Sequence, residues 1–167
     1  MAPVAEFEVG KTVVFGAEGF ARVEAYQERE LLGERVRVVD LFVIDTSMRV
    51  SVPVERAVER GLRPIVTRKA AGAALVELAT PGAEPLAWNR DGRILKDRFA
   101  EGGVDAMVEV LASIEDTAQT RKLNDGQRTL QERVRKALTR ELCTALDADE
   151  DVVSTRIDEA LAQRHGG

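Results

Sequence analysis

Residues 35–44 read RVRVVDLFVI, the richest strand-like run in the chain. One parity of this run holds Val36, Val38, Phe42 and Ile44, and the other holds Val39, Leu41 and Val43. Successive side chains of a strand point to opposite faces of the sheet. Apolar residues on both parities therefore predict a strand that is buried on both faces.

Weaker strand patterns flank this run on both sides. Upstream, residues 12–15 and 22–29 predict two strands around a glycine-bounded turn. Downstream, apolar and polar residues alternate from Met48 to Val54, which predicts a half-exposed strand with Arg49 on its outer face. Four or five short antiparallel strands in under fifty residues predict a small, strongly bent sheet or barrel.

The pattern becomes helical after Pro53. A short helix is expected at residues 55–60, and residues 62–67 read as an extended connector. Further helices are predicted at residues 69–79, from Trp88 to Ala100, around residues 104–111, from an Asn124 cap to Leu146, and around residues 153–161. The chain is therefore expected to be an α+β protein, with a β domain over residues 1–66 and an all-α domain over residues 67–167.

Composition limits the class of protein. The 167 residues suffice for one ordinary domain or two small ones, and no apolar run approaches the length of a membrane span. The start of the chain lacks the pattern of a secretory signal. A single cysteine, Cys143, excludes an internal disulfide framework and fits a reducing cytosol. We therefore expect a cytoplasmic protein without membrane association.

Charge is unevenly distributed along the chain. The formal net charge of −5 argues against a protein that coats nucleic acid by charge alone. Residues 121–140 nevertheless hold seven cations and two anions, a local charge of +5, whereas residues 147–151 sum to −4. A positive surface can therefore exist on this acidic protein.

Residues suited to catalysis or metal binding are scarce. His165 is the only histidine and lies near the C-terminus, where chains usually fray, which argues against His-dependent triads and most zinc sites. Asp147, Asp149 and Asp151 lack the glycine and distal glutamate of a calcium loop and fit helix capping better. We therefore expect a binding module rather than an enzyme, with no catalytic site, no metal and no cofactor.

Trp88 is the only tryptophan, and four cations follow it within ten residues: Arg90, Arg93, Lys96 and Arg98. Two interpretations are open. In the first, the ring is a wedge against a base step while the cations hold the flanking phosphates. In the second, Trp88 is a core residue and the cations form a solvated helix face, since tryptophans are mostly buried.

Five blocks of sequence carry a resemblance to a known family: Phe7–Phe15, Gly19–Ala25, Val50–Val54, Gly61–Arg63 and Trp88–Arg90. In content, order and spacing they resemble the CarD/CdnL family of bacterial transcription regulators over nearly the full chain. The N-terminal half is also similar to the polymerase-binding domain of transcription-repair coupling factors.

The resemblance implies a fold and two partners. It implies a Tudor-like N-terminal β-barrel domain that binds the RNA polymerase β subunit, followed by a helical domain that contacts promoter DNA. In this family the tryptophan enters the minor groove at the upstream edge of the melted promoter and favours the open complex. A monomer that reaches the nucleoid through RNA polymerase is expected.

Family positions map onto individual residues of this chain. The resemblance implies polymerase contacts at Arg29 and Ser51. Ser51 lies at a position that is basic in some members, and Arg49, two residues earlier on the same strand face, is expected to supply the charge that Ser51 lacks. It implies DNA contacts at Trp88, Arg90 and Arg93, and Lys96, on the same predicted helix, is expected to be a further DNA contact.

The chain also departs from the family pattern. Phe15–Gly16 replaces a Tyr-Pro turn, Asp91 replaces a second arginine, and Gly92 stands where an aromatic residue is common. An anion three residues from the wedge repels phosphate, and a glycine loosens a helix by about 1 kcal/mol relative to alanine. The alternative function is therefore a protein–protein adaptor, a divergent paralogue that binds polymerase with weak or no DNA binding.

Overall fold

The computed structural model describes residues 7–82, 86–89 and 92–166. The chain divides into two compact units, Met1–Ile65 and Val66–Gly167. The first is called the β unit and the second the helical unit. This arrangement confirms the α+β class expected from the sequence.

The β unit is a five-stranded antiparallel sheet with strand order β4-β3-β2-β1-β5. Its strands are β1 (Thr12–Phe15), β2 (Phe20–Leu31), β3 (Glu34–Val43), β4 (Met48–Pro53) and β5 (Leu62–Pro64), and helix α1 (Val54–Ala57) follows β4. The sheet is open, whereas a closed barrel was one of the expectations. Both edge strands end at a proline, which has no N–H to donate to a further strand.

The two faces of β3 are buried to different extents. Val39, Leu41 and Val43 lie in the core of the β unit together with side chains from the other strands. On the opposite face Val38 is buried, but Phe42 is only half-buried. The expected burial of both faces therefore holds fully for one face and partly for the other.

A β-bulge interrupts the pairing of β2 with β3. Val23 pairs with Leu41 and Ala25 pairs with Asp40, so Glu24 has no partner on β3. Before the bulge the even-numbered residues of β2 lie on the face opposite the core, and after it the odd-numbered residues do, because side chains alternate along a strand. The bulge therefore places Arg22 and Arg29 on the same face.

The helical unit contains five helices among the described residues: α2 (Arg68–Ala79), α3 (Arg93–Glu101), α4 (Val104–Ala118), α5 (Asp125–Leu146) and α6 (Glu150–Arg164). The apolar stripe predicted on α5 is buried as expected, at Leu130, Val134, Leu138 and Leu142. The predicted Asn124 cap is confirmed as a capping box, because Asn124 and Gln127 exchange side-chain-to-backbone hydrogen bonds.

Arg164 and His165, near the C-terminus, make contacts that the sequence did not suggest. Arg164 forms a bidentate pair with Asp116 of α4, at 2.8 and 2.7 Å, and donates to the carbonyl of Thr80 at 2.6 Å. His165 Nε2 lies 2.8 Å from Asp116 Oδ1. The expectation that the chain frays at His165 is therefore wrong, because a partly buried carboxylate of α4 holds this residue.

This C-terminal cluster gives a testable stability prediction. The Arg164 guanidinium beside Asp116 holds the pKa of that carboxyl below its usual value. The pair therefore stabilises the fold above about pH 4, the pKa of an unfolded aspartate, and its contribution is lost as the pH falls through the lower folded pKa. Asp116→Asn should lower the free energy of unfolding by about 1–3 kcal/mol at neutral pH. Urea denaturation across pH measures this difference, which should shrink below about pH 4.

Asp97→Asn is the matched control, since Asp97 and its partner Arg93 are 3.7 Å apart and both largely exposed. Exposed ion pairs contribute about 0–1 kcal/mol. A loss at Asp116 that is equally large at every pH would show that the charge of the carboxylate is not its source.

Candidate functional site

The outer face of the β unit is the face of β2, β3 and β4 opposite the core. Asp40 lies at its centre and accepts a hydrogen bond from Ser51 Oγ at 2.5 Å and from Gln27 Nε2 at 2.6 Å. Arg29 Nη2 lies 3.6 Å from the same carboxylate, and the Arg29 side chain is half exposed. The structure therefore brings Arg29 and Ser51, two expected polymerase contacts, together on one acidic side chain.

Arg49 belongs to a second cluster on the outer face. Its Nε lies 4.0 Å from Glu24 Oε1, and Arg22 Nη2 lies 3.6 Å from the same oxygen. The Arg22 guanidinium also sits 5.0 Å from the centre of the Phe42 ring. Glu24 Oε1 is buried and pairs with both arginines at ion-pair rather than hydrogen-bond distance. The Arg49 side chain is 82% exposed and is available to a partner.

Sequence reasoning did not find Asp40, Arg22 or Phe42 as members of this face. Arg22 and Arg49 both pair with Phe42 across the sheet, and Ser51 pairs with Asp40. The alternation in β4 indicated the side of Arg49 and Ser51. No sequence signal marked the bulge that turns the β2 residues to the same side.

In the helical unit, Trp88 lies before α3 and is not helical. The predicted helix from Trp88 to Ala100 is therefore wrong at its start. The N-cap residue Gly92 has a φ of 71°, in the left-handed region that does not continue a right-handed helix, and α3 begins at Arg93. The Asn89 carbonyl accepts from Gly92 N–H at 3.0 Å, and its side-chain oxygen lies 3.4 Å from the Ile94 nitrogen.

The Trp88 ring is partly buried and packs against the helical core. Upstream of it, Leu86 N–H donates to Ser113 Oγ of α4 at 3.0 Å, which fixes the segment to the helices. The Lys96 ammonium lies 5.9 Å from the ring centre, within cation–π range. The burial of the Trp88 ring is thus intermediate between that of a free wedge and that of a core residue, the two interpretations that the sequence left open.

The structure separates the cations that follow Trp88. Arg93 lies in the first turn of α3, is largely exposed and pairs with Asp97. Arg98 instead donates to Glu109 at 2.5 Å and to Glu101 at 2.7 Å, and these carboxylates raise the pKa of its guanidinium. Arg90, like Asp91, lies outside the described residues. Of the expected DNA contacts, the structure therefore places the Lys96 ammonium beside the Trp88 ring and Arg93 one helical turn before Lys96.

The basic cluster of α5 is partly engaged within the helical unit. The Arg133 guanidinium lies 5.6 Å from the Phe99 ring centre, Arg135 pairs with Asp158 at 2.6 Å, and Arg128 pairs with Asp125. Lys136 is exposed. The positive face expected on α5 is therefore smaller than the count of its cations suggested.

The protein thus consists of a small antiparallel sheet with an arginine-bearing outer face and a helical unit with a half-buried tryptophan. Residues 77–158, which make up most of the helical unit, match the family described as CarD, C-terminal domain. This match confirms the resemblance of the chain to the CarD/CdnL family. The protein is therefore a CarD-like, transcription-related protein. The CarD family consists of non-enzymatic transcription factors that associate with RNA polymerase.

In the described ranges, every helix is too short or too polar to cross a bilayer.

Proposed function

We propose that this chain is a transcription regulator that binds the RNA polymerase β subunit through the outer face of the β unit. The observation that carries the proposal is that Arg29, Arg49 and Ser51, which come from two strands, share one exposed face. This face holds three arginines, Arg22, Arg29 and Arg49, and three carboxylates, Glu24, Glu34 and Asp40. Arg29 is half exposed and Arg49 is largely exposed, so these two side chains offer positive charge to an acidic partner surface, and charge complementarity raises the rate and specificity of docking.

The second part of the proposal is that Trp88 stabilises the promoter open complex. The ring is partly exposed, Lys96 lies beside it, and Arg93 stands at the N-terminus of α3, where the helix dipole also attracts phosphate. Arg90 is expected to add a further phosphate contact. A ring that stacks only on an unwound base step binds the melted state alone. Its affinity for that state then shifts the melting equilibrium towards the open complex.

Tethering explains how an acidic protein can act on DNA. Few described cations are near the ring and the whole protein is acidic, so binding to DNA alone should be weak and should weaken further as salt rises. Docking to polymerase raises the local concentration of the helical unit at the promoter. On this proposal the protein is a monomer in the cytoplasm, associated with the nucleoid through RNA polymerase.

A titration tests the whole proposal. The full chain is titrated into labelled forked promoter DNA with and without RNA polymerase, at low and moderate salt. We expect weak, salt-sensitive binding to DNA alone and at least tenfold tighter binding when polymerase is present. Equal affinity for DNA in both arms would contradict the tethered mechanism.

A second candidate function is the polymerase-binding adaptor with weak or no DNA binding. It is favoured by the partial burial of Trp88 and by the pairing of Arg98 with Glu109 and of Arg93 with Asp97. These pairs reduce the positive charge available to phosphate. In the same titration, the adaptor would bind polymerase normally and leave the affinity for forked DNA unchanged.

A further inference from the structure

Two glycines from different elements meet the Trp88 ring. A Cβ added to Gly92, the N-cap of α3, would overlap the six-membered ring of the indole. A Cβ added to Gly126, in the first turn of α5, would lie 3.2 Å from Cζ2 and 3.6 Å from Cη2 of the same ring. The Gly92 backbone therefore approaches the ring at a distance that only a missing side chain permits, and a Cβ on Gly126 would require the ring to shift by a few tenths of an ångström.

The backbone alone does not account for both glycines. Gly92 has a φ of 71°, which favours glycine whatever its surroundings. Gly126 is not in that region and lies in a regular helix, where alanine is more favourable than glycine. The contact with Trp88 supplies a reason for glycine at this position that helix propensity does not.

We propose that Gly92 and Gly126 are positioning residues for Trp88: together they form a recess, the glycine recess, that receives the six-membered ring and fixes how the indole is presented. The inference rests on the proposed function, because a defined ring position matters for a group that stacks on a base step. Lys96, one turn after Gly92, places its ammonium over the ring held in this recess. The recess thus sets the geometry of the ring and its neighbouring cation together.

Gly126→Ala is the variant that tests the recess. Gly72, in α2, is the matched control, because no atom lies within 4 Å of a Cβ built there and its backbone is not left-handed. Trp88 is the only tryptophan, so intrinsic fluorescence reports on this ring alone. Gly92→Ala does not separate ring contact from backbone strain, because any side chain is unfavourable at the positive φ of this position.

The expected results separate ring contact from helix propensity. Gly72→Ala should raise the Tm and leave the Trp88 emission unchanged. Gly126→Ala should shift the emission maximum, change quenching by acrylamide and raise the Tm less than Gly72→Ala does. In a Trp88→Ala background, Gly126→Ala should raise the Tm as much as the control. Unchanged emission with a full gain in Tm in the native background would overturn the recess.

The effect of the recess on function is measured as the lifetime of the polymerase open complex on promoter DNA. Gly126→Ala should shorten that lifetime several-fold, to a value between those of the native chain and Trp88→Ala. If Trp88→Ala itself leaves the lifetime unchanged, the proposed function fails, while the fluorescence result still decides whether the recess exists. If Trp88→Ala shortens the lifetime and Gly126→Ala moves the ring without any effect on it, the positioning role is wrong.

Discussion

Arg29→Glu is expected to weaken binding to the isolated RNA polymerase β subunit by about 10- to 100-fold. Arg29 is half exposed on the outer face, and a charged contact at an interface is worth about 1–3 kcal/mol. The substituted glutamate would also lie beside Asp40, so the face would present two neighbouring anions where it now presents a cation. Binding of labelled β subunit measures the loss, and far-UV circular dichroism checks that the sheet is retained.

Arg35→Glu is the control for this charge reversal. Arg35 lies on the same β2–β3 hairpin, pairs with Glu30 across the ribbon and is therefore on the opposite face from Arg29. Its side chain is 85% exposed. The control should change affinity much less than Arg29→Glu. If the two variants lose affinity equally, the effect is one of net charge and the docking surface is not the outer face.

Trp88→Ala is expected to shorten the lifetime of the open complex by about 5- to 100-fold, since stacking of an aromatic side chain on a base is worth about 1–3 kcal/mol. The ring is partly buried, so the free energy of unfolding should also fall, by less than the about 3–5 kcal/mol typical of a fully buried aromatic residue. Competitor-challenge decay of open complexes and thermal melting measure the two effects.

Phe99→Ala separates function from stability in this experiment. Phe99 is another half-buried aromatic residue of the helical unit, packed against the same core, and its ring contacts Arg133. Its truncation should cost comparable stability and leave the open-complex lifetime near that of the native chain. An equal loss of lifetime in both variants would show that Trp88 acts only through the fold and would favour the adaptor.

Periodicity predicted β4 and α5 because each has one continuous apolar face. The alternation in β4 and the four-residue spacing on α5 are both strong signals, and the corresponding elements are present. β5 gave no such signal, because three residues are too few to show alternation and its identity as a strand comes from pairing with β1. The start of α3 was missed because a single left-handed residue, Gly92, determines it.

The candidate site was predictable where resemblance or strand alternation indicated its residues. Arg29 and Ser51 came from family positions and Arg49 from the alternation in β4, but Asp40, which pairs with both Arg29 and Ser51, could not be inferred without the register of three strands. From the sequence, Gly92 is interpreted as a departure from the family pattern that loosens a helix. In the folded chain it is instead the residue whose missing side chain leaves room for the ring.

The bulge at Glu24 makes the outer face depend on chain length as well as on composition. If β2 kept Glu24 but lost the bulge, uninterrupted alternation from Val23 would turn Arg29 to the side now occupied by Tyr26 and Glu28, although no residue of the face had been substituted. Deleting Glu24, the extra residue, would instead let Ala25 follow Val23 in regular pairing with Asp40 and Leu41, and Arg29 would stay on the outer face. In related chains, β2 can therefore lose the bulge residue and keep this face, whereas a further inserted residue turns the arginine away unless a second bulge absorbs it.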